Sequence, residues 1–250
     1  MNTPSLEGAL NFRDVGGMPA GEARQVRHGV LFRSDTLQFL TAEDIHTLVE
    51  QLGLRSDIDL RLGYEIKVEG RGLLEDEASI GHYHLPLQVD GAVREGTATP
   101  ILQQNDPVVN HYLGYLDSSA ASLVSMIQLL ATPDGSPAII HCAAGKDRTG
   151  IAVAMVLAAL GCSEQDIADE YAAGSHLIEA VLDRLRGMES YGAALDKLPK
   201  EANLTPPEYI QRFFERVGEL YGGPIAFLKM NGVTDEQLVN LREQLTEPTT

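Results

Sequence analysis

Three consecutive pieces of sequence leave this chain little freedom in how it can fold. AIIHC, Ala138–Cys142, is a short β-branched run that reads as a buried strand. GIAVAMVLAALG, Gly150–Gly161, is apolar on every side, the pattern of a helix buried all round. Between them, Ala143–Thr149 turns the chain straight from the end of the strand into the start of the helix. Strands and helices that alternate in this way argue an α/β fold, a mainly parallel sheet with helices on both faces.

The rest of the chain agrees. VLFRS at Val30–Ser34 and SDIDLRL at Ser56–Leu62 read as strands, and HYHLPL at His82–Leu87 alternates and stops near Pro86. Between the first two, Thr41 and Asp44 make a capping box, Ile45, Leu48, Val49 and Leu52 a helical stripe, and Gly53 a stop. Val30–Leu62 therefore reads as one βαβ unit. Asp90–Asn110 is polar with Gly and Pro breaks and reads as an excursion over the surface. Helices are expected over Leu113–Leu130, before the turn TPDGSP, and from the Ser163–Asp166 cap to about Gly174. Ser175–Lys200 reads as helix interrupted at Gly187 and Gly192. Two more helices follow, from Pro206 and Pro207 through Tyr221 and after the Thr234–Gln237 capping box.

The loop Cys142–Arg148 is built for an anion. Its backbone N–H groups can curl around one phosphate, and the helix that starts near Arg148 aims its positive end at the same point. Arg148 adds a planar fork for two phosphate oxygens. Ala143, Ala144 and Gly145 are small enough for the backbone to close in. The same field favours the thiolate of Cys142, and a thiolate beneath a bound phosphate is a nucleophile in line for phosphorus. His141 is expected to fix the loop by hydrogen bonding, and Thr149 to donate to the thiolate as it departs. Alone, Cys142 would read as a small buried hydrophobe; strand, loop, Arg148 and helix in this order argue otherwise. Cys162 has no charged company and reads as an inert thiol.

Composition narrows the setting. The 250 residues suit a single domain over 1–250, or a domain with an added lid. A chain of this length buries roughly 70–75% of its unfolded surface and needs neither disulfide nor metal to hold a core. Two cysteines are too few for a disulfide scaffold. MNTPSLEGAL has no apolar segment of a signal peptide, and no run approaches the roughly 18–20 apolar residues of a membrane span. The expected location is cytoplasmic, or secreted without a visible signal peptide, with no integral membrane segment. A net charge of −17 argues against nucleic acid and anionic membranes as partners. Any phosphate site must be positive locally, against the overall field.

HCAAGKDRTG matches the signature of the cysteine-dependent protein tyrosine phosphatases. Further segments resemble the atypical bacterial branch of that family: GALNFRDVGGMP at Gly8–Pro19, RHGVLFRSDTL at Arg27–Leu37, DLR at Asp59–Arg61, IADEYAAGS at Ile167–Ser175 and GVTDEQLVNLREQL at Gly232–Leu245. The resemblance implies the cysteine-phosphatase α/β fold and hydrolysis of phosphotyrosine, often with phosphoserine, phosphothreonine and phosphoinositides. It implies a phosphocysteine intermediate, no cofactor, and a phosphorylated protein or phosphoinositide as the partner. It also implies a helical lid at about 175–215, which would fall on the interrupted helices of Ser175–Lys200; the alternative there is an ordinary packed helical pair. The rival readings are a phosphoinositide phosphatase, a phosphate-binding pseudo-phosphatase, and a sulfur-transfer enzyme, which would not need Arg148 and Thr149.

The chemistry also needs an acid for the leaving oxygen. No tryptophan is present, so the Trp-Pro-Asp loop of many tyrosine phosphatases is missing. Three carboxylates compete: Asp147 inside the loop, Asp90 after the HYHLPL strand, and Asp59, whose alternative is an ion pair with Arg61. Lys146 reads either as a solvent-exposed lysine that raises the local potential or as a contact to a second phosphate, since a lysine here recurs among inositide phosphatases. His82 and His84 share a strand face but lack a third ligand, so packing rather than metal is expected. Arg13 and Asp14 either buttress the loop or fix a turn with Gly16 and Gly17. Arg33 and Asp35 read as a structural pair.

Overall fold

The computed structural model describes residues 4–21, 23–88, 106–195 and 203–249. Its strands are β1 (Arg13–Asp14), β2 (Arg24–Val26), β3 (Leu31–Ser34), β4 (Ser56–Asp59), β5 (Gly81–His84), β6 (Ala138–His141) and β7 (Thr246–Pro248). Five form the main sheet in the order β1-β3-β6-β4-β5, and β2 pairs with β7 in a small second sheet. Strands β3, β6, β4 and β5 run parallel, and β1 is an antiparallel edge. The helices are α1 (Ala42–His46, continued in wider turns through Gln51), α2 (Gly63–Glu69), α3 (Pro107–Leu130), α4 (Asp147–Leu160) and α5 (Glu164–Ala172). They continue with α6 (Ile178–Arg186), α7 (Gly192–Leu195), α8 (Glu208–Tyr221), α9 (Pro224–Met230) and α10 (Asp235–Leu245).

The period of two along each strand builds two cores. Leu31, Ile58 and Ile140 face a large cluster that also holds Leu113 and Leu116 of α3, α4 almost entire, and Phe213 and Leu241 of α8 and α10. Phe32 and Ile139 point the other way, onto Ile45 and Leu48 of the first helix with Leu74 and Ile80. Buried on both faces, β6 takes the centre of the sheet, and the expected βαβ unit is modified accordingly. Strands β3 and β4 are parallel, but β6 lies between them. In register, Ser34 and Asp59 both stand beside His141, so the carboxyl ends of three strands meet at one edge. Ligands of open α/β sheets bind outside that edge.

Caps set the boundaries. Thr41 accepts from the Asp44 N–H and the Asp44 carboxylate accepts from the Thr41 N–H, as expected. Helix α3 starts six residues before its expected Leu113, because Asp106 caps it and Pro107 fits the first turn. The part of the expected surface excursion from Pro107 onward is thus helical; residues 89–105 lie outside the described residues. The strands stop at Asp59 and His84, short of Leu62 and Leu87, where the apolar alternation outlasts the ladder. No helix among the described residues is long and apolar enough to cross a membrane.

Helix α4 carries the loop, so its packing sets the rigidity of what lies at its N-terminus. Leu157 is fully buried in the larger core. Leu157→Ala is expected to cost about 2–5 kcal/mol, read as a lower urea midpoint with an unchanged slope.

Candidate active site

The loop after β6 is shaped by what holds its carbonyl oxygens. The Thr36 N–H bonds the Ala143 carbonyl at 3.0 Å. The Asn11 side-chain amide reaches the carbonyls of Ala144 and Gly145, both at 3.3 Å. Arg33 Nη2 donates to the Gly145 carbonyl at 2.7 Å. A peptide unit is planar, with its C=O and the next N–H on opposite sides. Pulling these carbonyls outward therefore turns the N–H groups of Ala144, Gly145 and Lys146 to the inside of the loop. Gly145 has φ +64°, and a Cβ there would lie 2.5 Å from the Ser34 carbonyl oxygen. Only glycine lets the loop sit this close to the end of β3.

The supports are themselves anchored. Arg33 Nη1 and Arg13 Nε clasp opposite oxygens of Glu170 at 2.5 and 2.8 Å, and Arg13 Nη1 also donates to Asn11 Oδ1. Arg13 thus buttresses the loop through Asn11, while Asp14 fixes the turn by accepting from the Gly16 and Gly29 N–H groups. The expected pairing of Arg33 with Asp35 does not form. Arg33 ends on Glu170 and Gly145, whereas Asp35, beyond the strand, accepts from the Asn11 N–H and pairs with Arg184. His141 is buried with Nε2 2.9 Å from Asp57, which also meets His82 at 3.0 Å. Burial opposes the Asp57 charge, but the two histidines outweigh it and hold the carboxyl far below the usual range. His84, the other expected packing histidine, contacts the Arg61 carbonyl.

The charged side chains converge around Cys142, which is 2% exposed at the end of β6. Arg148 is held by a two-pronged pair with Glu65 of α2, Nη1–Oε2 2.6 Å and Nη2–Oε1 2.9 Å. Burial works against the Arg148 charge, yet Cys142 and Glu65 overcome it, and its pKa is raised. Thr149 is fully buried, and its hydroxyl has no hydrogen-bond partner among the described residues. Lys146 is not solvent-exposed, against one of its two expected readings. It is 5% exposed, because the chain at Leu204 covers it and its ammonium lies 3.0 Å from Asp147 Oδ1. Tyr112 of α3 donates to the same Asp147 oxygen at 2.7 Å. Burial would raise the Asp147 pKa, but Lys146 and Tyr112 prevail and lower it. Burial pushes the Cys162 thiol up to about 12, as suits an inert group.

A cavity of about 160 Å³ opens over the loop. Its floor is Cys142, Ala143, Ala144, Lys146, Asp147 and Arg148. Its roof is apolar: Ile178, Leu182 and Leu185 of α6, with Tyr191 and Leu195. Asp59 is absent from this lining; its two oxygens take the Arg61 guanidinium at 2.8 and 3.0 Å, the ion pair weighed as its alternative. Asp90 lies outside the described residues. The site thus brings a thiol to the floor of the cavity, with an arginine and a carboxylate beside it and an apolar roof.

A model of the tyrosine phosphatase family matches residues 4–247. The chain belongs to the tyrosine phosphatase family. It is 27% identical to the triple specificity protein phosphatase PtpB of Mycobacterium tuberculosis, over 97% of this chain and 98% of that protein. It is 25% identical to a tyrosine-protein phosphatase of Nostoc commune, over 91% and 78%. The core catalytic domain of the PP-IP phosphatase SIW14 from S. cerevisiae overlays with a TM-score of 0.37, at 20% identity, over 68% of this chain and 78% of that one. Like the rest of the tyrosine phosphatase family, the chain is a phosphatase, and its mainly parallel sheet flanked by helices is the cysteine-phosphatase fold.

Sequence reading passed over Glu65, Asn11, Glu170, Tyr112 and Tyr171. Glu65 lies in the first turn of α2, where an acid is ordinary, and it accepts from the Leu62 N–H. The tyrosines carried one usable signal: phenols on an apolar helix face need partners. Glu65→Gln keeps the shape and removes the charge that orients Arg148. Inorganic phosphate should then inhibit roughly 10- to 100-fold less well, the worth of a hydrogen bond to a charged group. Equal inhibition constants for the two proteins would mean that Arg148 does not depend on Glu65.

Proposed function

We propose that this enzyme is a protein tyrosine and dual-specificity phosphatase, with phosphoinositides among its substrates, that works through a phosphocysteine at Cys142. The observation that carries the reading is the set of outward-held carbonyls, which leaves the inner N–H groups and Arg148 to grip a phosphate above the thiol. In the first step Cys142 Sγ attacks phosphorus, and the bond from phosphorus to the leaving oxygen breaks. Asp147 gives that oxygen a proton. In the second step water attacks phosphorus, the S–P bond breaks, and Asp147 takes the proton that water loses. The unpartnered Thr149 hydroxyl donates to the departing thiolate. Ala143, Ala144, Gly145 and Lys146 supply loop amides, and with Arg148 they match the charge that builds on the equatorial oxygens.

Asp147 must hold a proton at the first step, although it is ionised in the free site. Substrate reverses the balance. A phosphate dianion beside the carboxylate disfavours its charge, and Lys146 turning to the phosphate removes the cation that kept it ionised; both raise its pKa. Asp59 remains the alternative acid within the described residues, but its oxygens are committed to Arg61. Asp90 is the other.

The apolar roof suits an aryl phosphate, and the M. tuberculosis relative is named for triple specificity. Lys146 is positioned for a second phosphate of a polyphosphorylated ligand. The single domain spans 1–250, and α6 and α7 form its lid. Helix α8 is left out of the lid on this proposal, since its Ile210, Phe213 and Phe214 belong to the main core. A phosphate-binding pseudo-phosphatase is disfavoured by the intact Cys142 and Arg148.

A panel of phosphopeptides, alkyl phosphates, p-nitrophenyl phosphate and phosphoinositides tests the reading. Asp147→Asn should cut turnover of alkyl phosphates by roughly 10²–10⁴, and that of p-nitrophenyl phosphate much less, since its leaving group needs little protonation. If Asp90→Asn or Asp59→Asn has this effect instead, the acid is assigned wrongly. Lys146→Ala should weaken phosphoinositide hydrolysis more than phosphotyrosine hydrolysis; equal losses would reduce the lysine to a source of general potential.

A further inference from the structure

The two polar contacts described for the Asp147 carboxylate both fall on Oδ1. One is temporary on the proposed mechanism, since Lys146 turns to the substrate. The other comes from Tyr112, a fully buried side chain whose ring is enclosed by Tyr115, Tyr171 and Phe213. Its hydroxyl also lies 2.6 Å from that of Tyr171 of α5. A phenol has one hydrogen to give. If Tyr112 gives it to Asp147, the Tyr171 hydroxyl must donate to the Tyr112 oxygen. The result is a directed chain, Tyr171 to Tyr112 to Asp147, running from the core to the cavity floor. Gly150 makes room for it, because a Cβ there would come 2.8 Å from the Tyr171 ring.

We propose that Tyr112, backed by Tyr171, is a positioning residue that pins Asp147 Oδ1, so that Oδ2 alone carries the proton to the leaving oxygen. The inference rests on Asp147 being the general acid. An ionised carboxylate accepts through Oδ1, and one protonated on Oδ2 still accepts there. The Tyr112 bond therefore survives both halves of the reaction. Protonation on Oδ1 would turn the chain round, with Asp147 donating to Tyr112 and Tyr112 to Tyr171, and would take from the Tyr171 hydroxyl the acceptor it has in Tyr112. Burial and the neighbouring Asp147 charge hold the Tyr112 phenol far above its ordinary range. Tyr112 therefore orients the proton without supplying one. A fixed oxygen matters because proton transfer requires the acid within hydrogen-bond reach of the leaving atom as that atom departs.

The test is a series of phosphate monoesters with increasingly poor leaving groups, with kcat and KM measured separately. Tyr112→Phe keeps the ring. It should lower kcat on alkyl phosphates roughly 10- to 100-fold, the worth of one charge-assisted bond, with KM unchanged and a clearly smaller loss on p-nitrophenyl phosphate. Tyr171→Phe should give the same pattern at smaller amplitude, and it carries the test if Tyr112→Phe does not fold. In an Asp147→Asn background, Tyr112→Phe should add no loss that depends on the leaving group. A loss equal across all leaving groups, or one expressed in KM, overturns the inference and leaves the tyrosines as core packing. If Asp147→Asn itself shows no dependence on the leaving group, the acid assignment fails, and the inference with it; that result is read from Asp147→Asn alone.

Discussion

Arg33, which is 1% exposed, gives one guanidinium nitrogen to the Gly145 carbonyl and another to Glu170. With Asn11 on Ala144 and Gly145 and the Thr36 N–H on Ala143, it draws three successive loop carbonyls to the outside. The N–H groups of the same planar peptide units are thereby turned to the inside of the loop. The cradle is thus made from its back. Segments far apart in the chain contribute, since Asn11 precedes β1, Arg13 opens it and Glu170 comes from α5. Glycine at position 145 is needed because this arrangement brings the loop against the end of β3.

A protein of net charge −17 must concentrate positive charge to bind phosphate, and among the described residues the four cations that hold or line the loop are matched. Arg148 faces Glu65, Lys146 faces Asp147, and Arg13 and Arg33 share Glu170. A buried charge without a partner is costly, and each of these pairs spares its charges that cost. They differ in consequence. Glu65 and Glu170 hold arginines in place, and their pairs are compatible with a bound anion. The Lys146–Asp147 pair is local to the cavity floor, where a phosphate competes for the lysine. On the proposed mechanism that competition switches Asp147 from an ionised partner to an acid, with Tyr112 holding its other contact constant.

The parts of this site that are continuous in sequence were legible there. Strand, loop and helix from Ala138 to Gly161 announce both the fold class and the anion cradle, because their geometry is local. The Thr41–Asp44 and Thr234–Gln237 caps were equally local and form as read. What escaped depends on topology. Glu65 lies 83 residues from Arg148 and Tyr112 lies 35 from Asp147, and only the strand order brings them together. The insertion of β6 between β3 and β4 has no local signature. Spacing alone pairs Arg33 with Asp35; the better partner, Glu170, lies on α5, which the fold packs against α4 and α8.

The phosphocysteine step is the claim on which the other roles depend. Rapid mixing with p-nitrophenyl phosphate, quenching in denaturant at millisecond intervals and peptide mass spectrometry would locate any covalent phosphate. It should appear on Cys142 before steady state, together with a burst of p-nitrophenol, and be absent from Cys142→Ser, which should no longer turn over. Steady turnover with no phosphorylated Cys142 at any interval, or substantial turnover by Cys142→Ser, would contradict the mechanism.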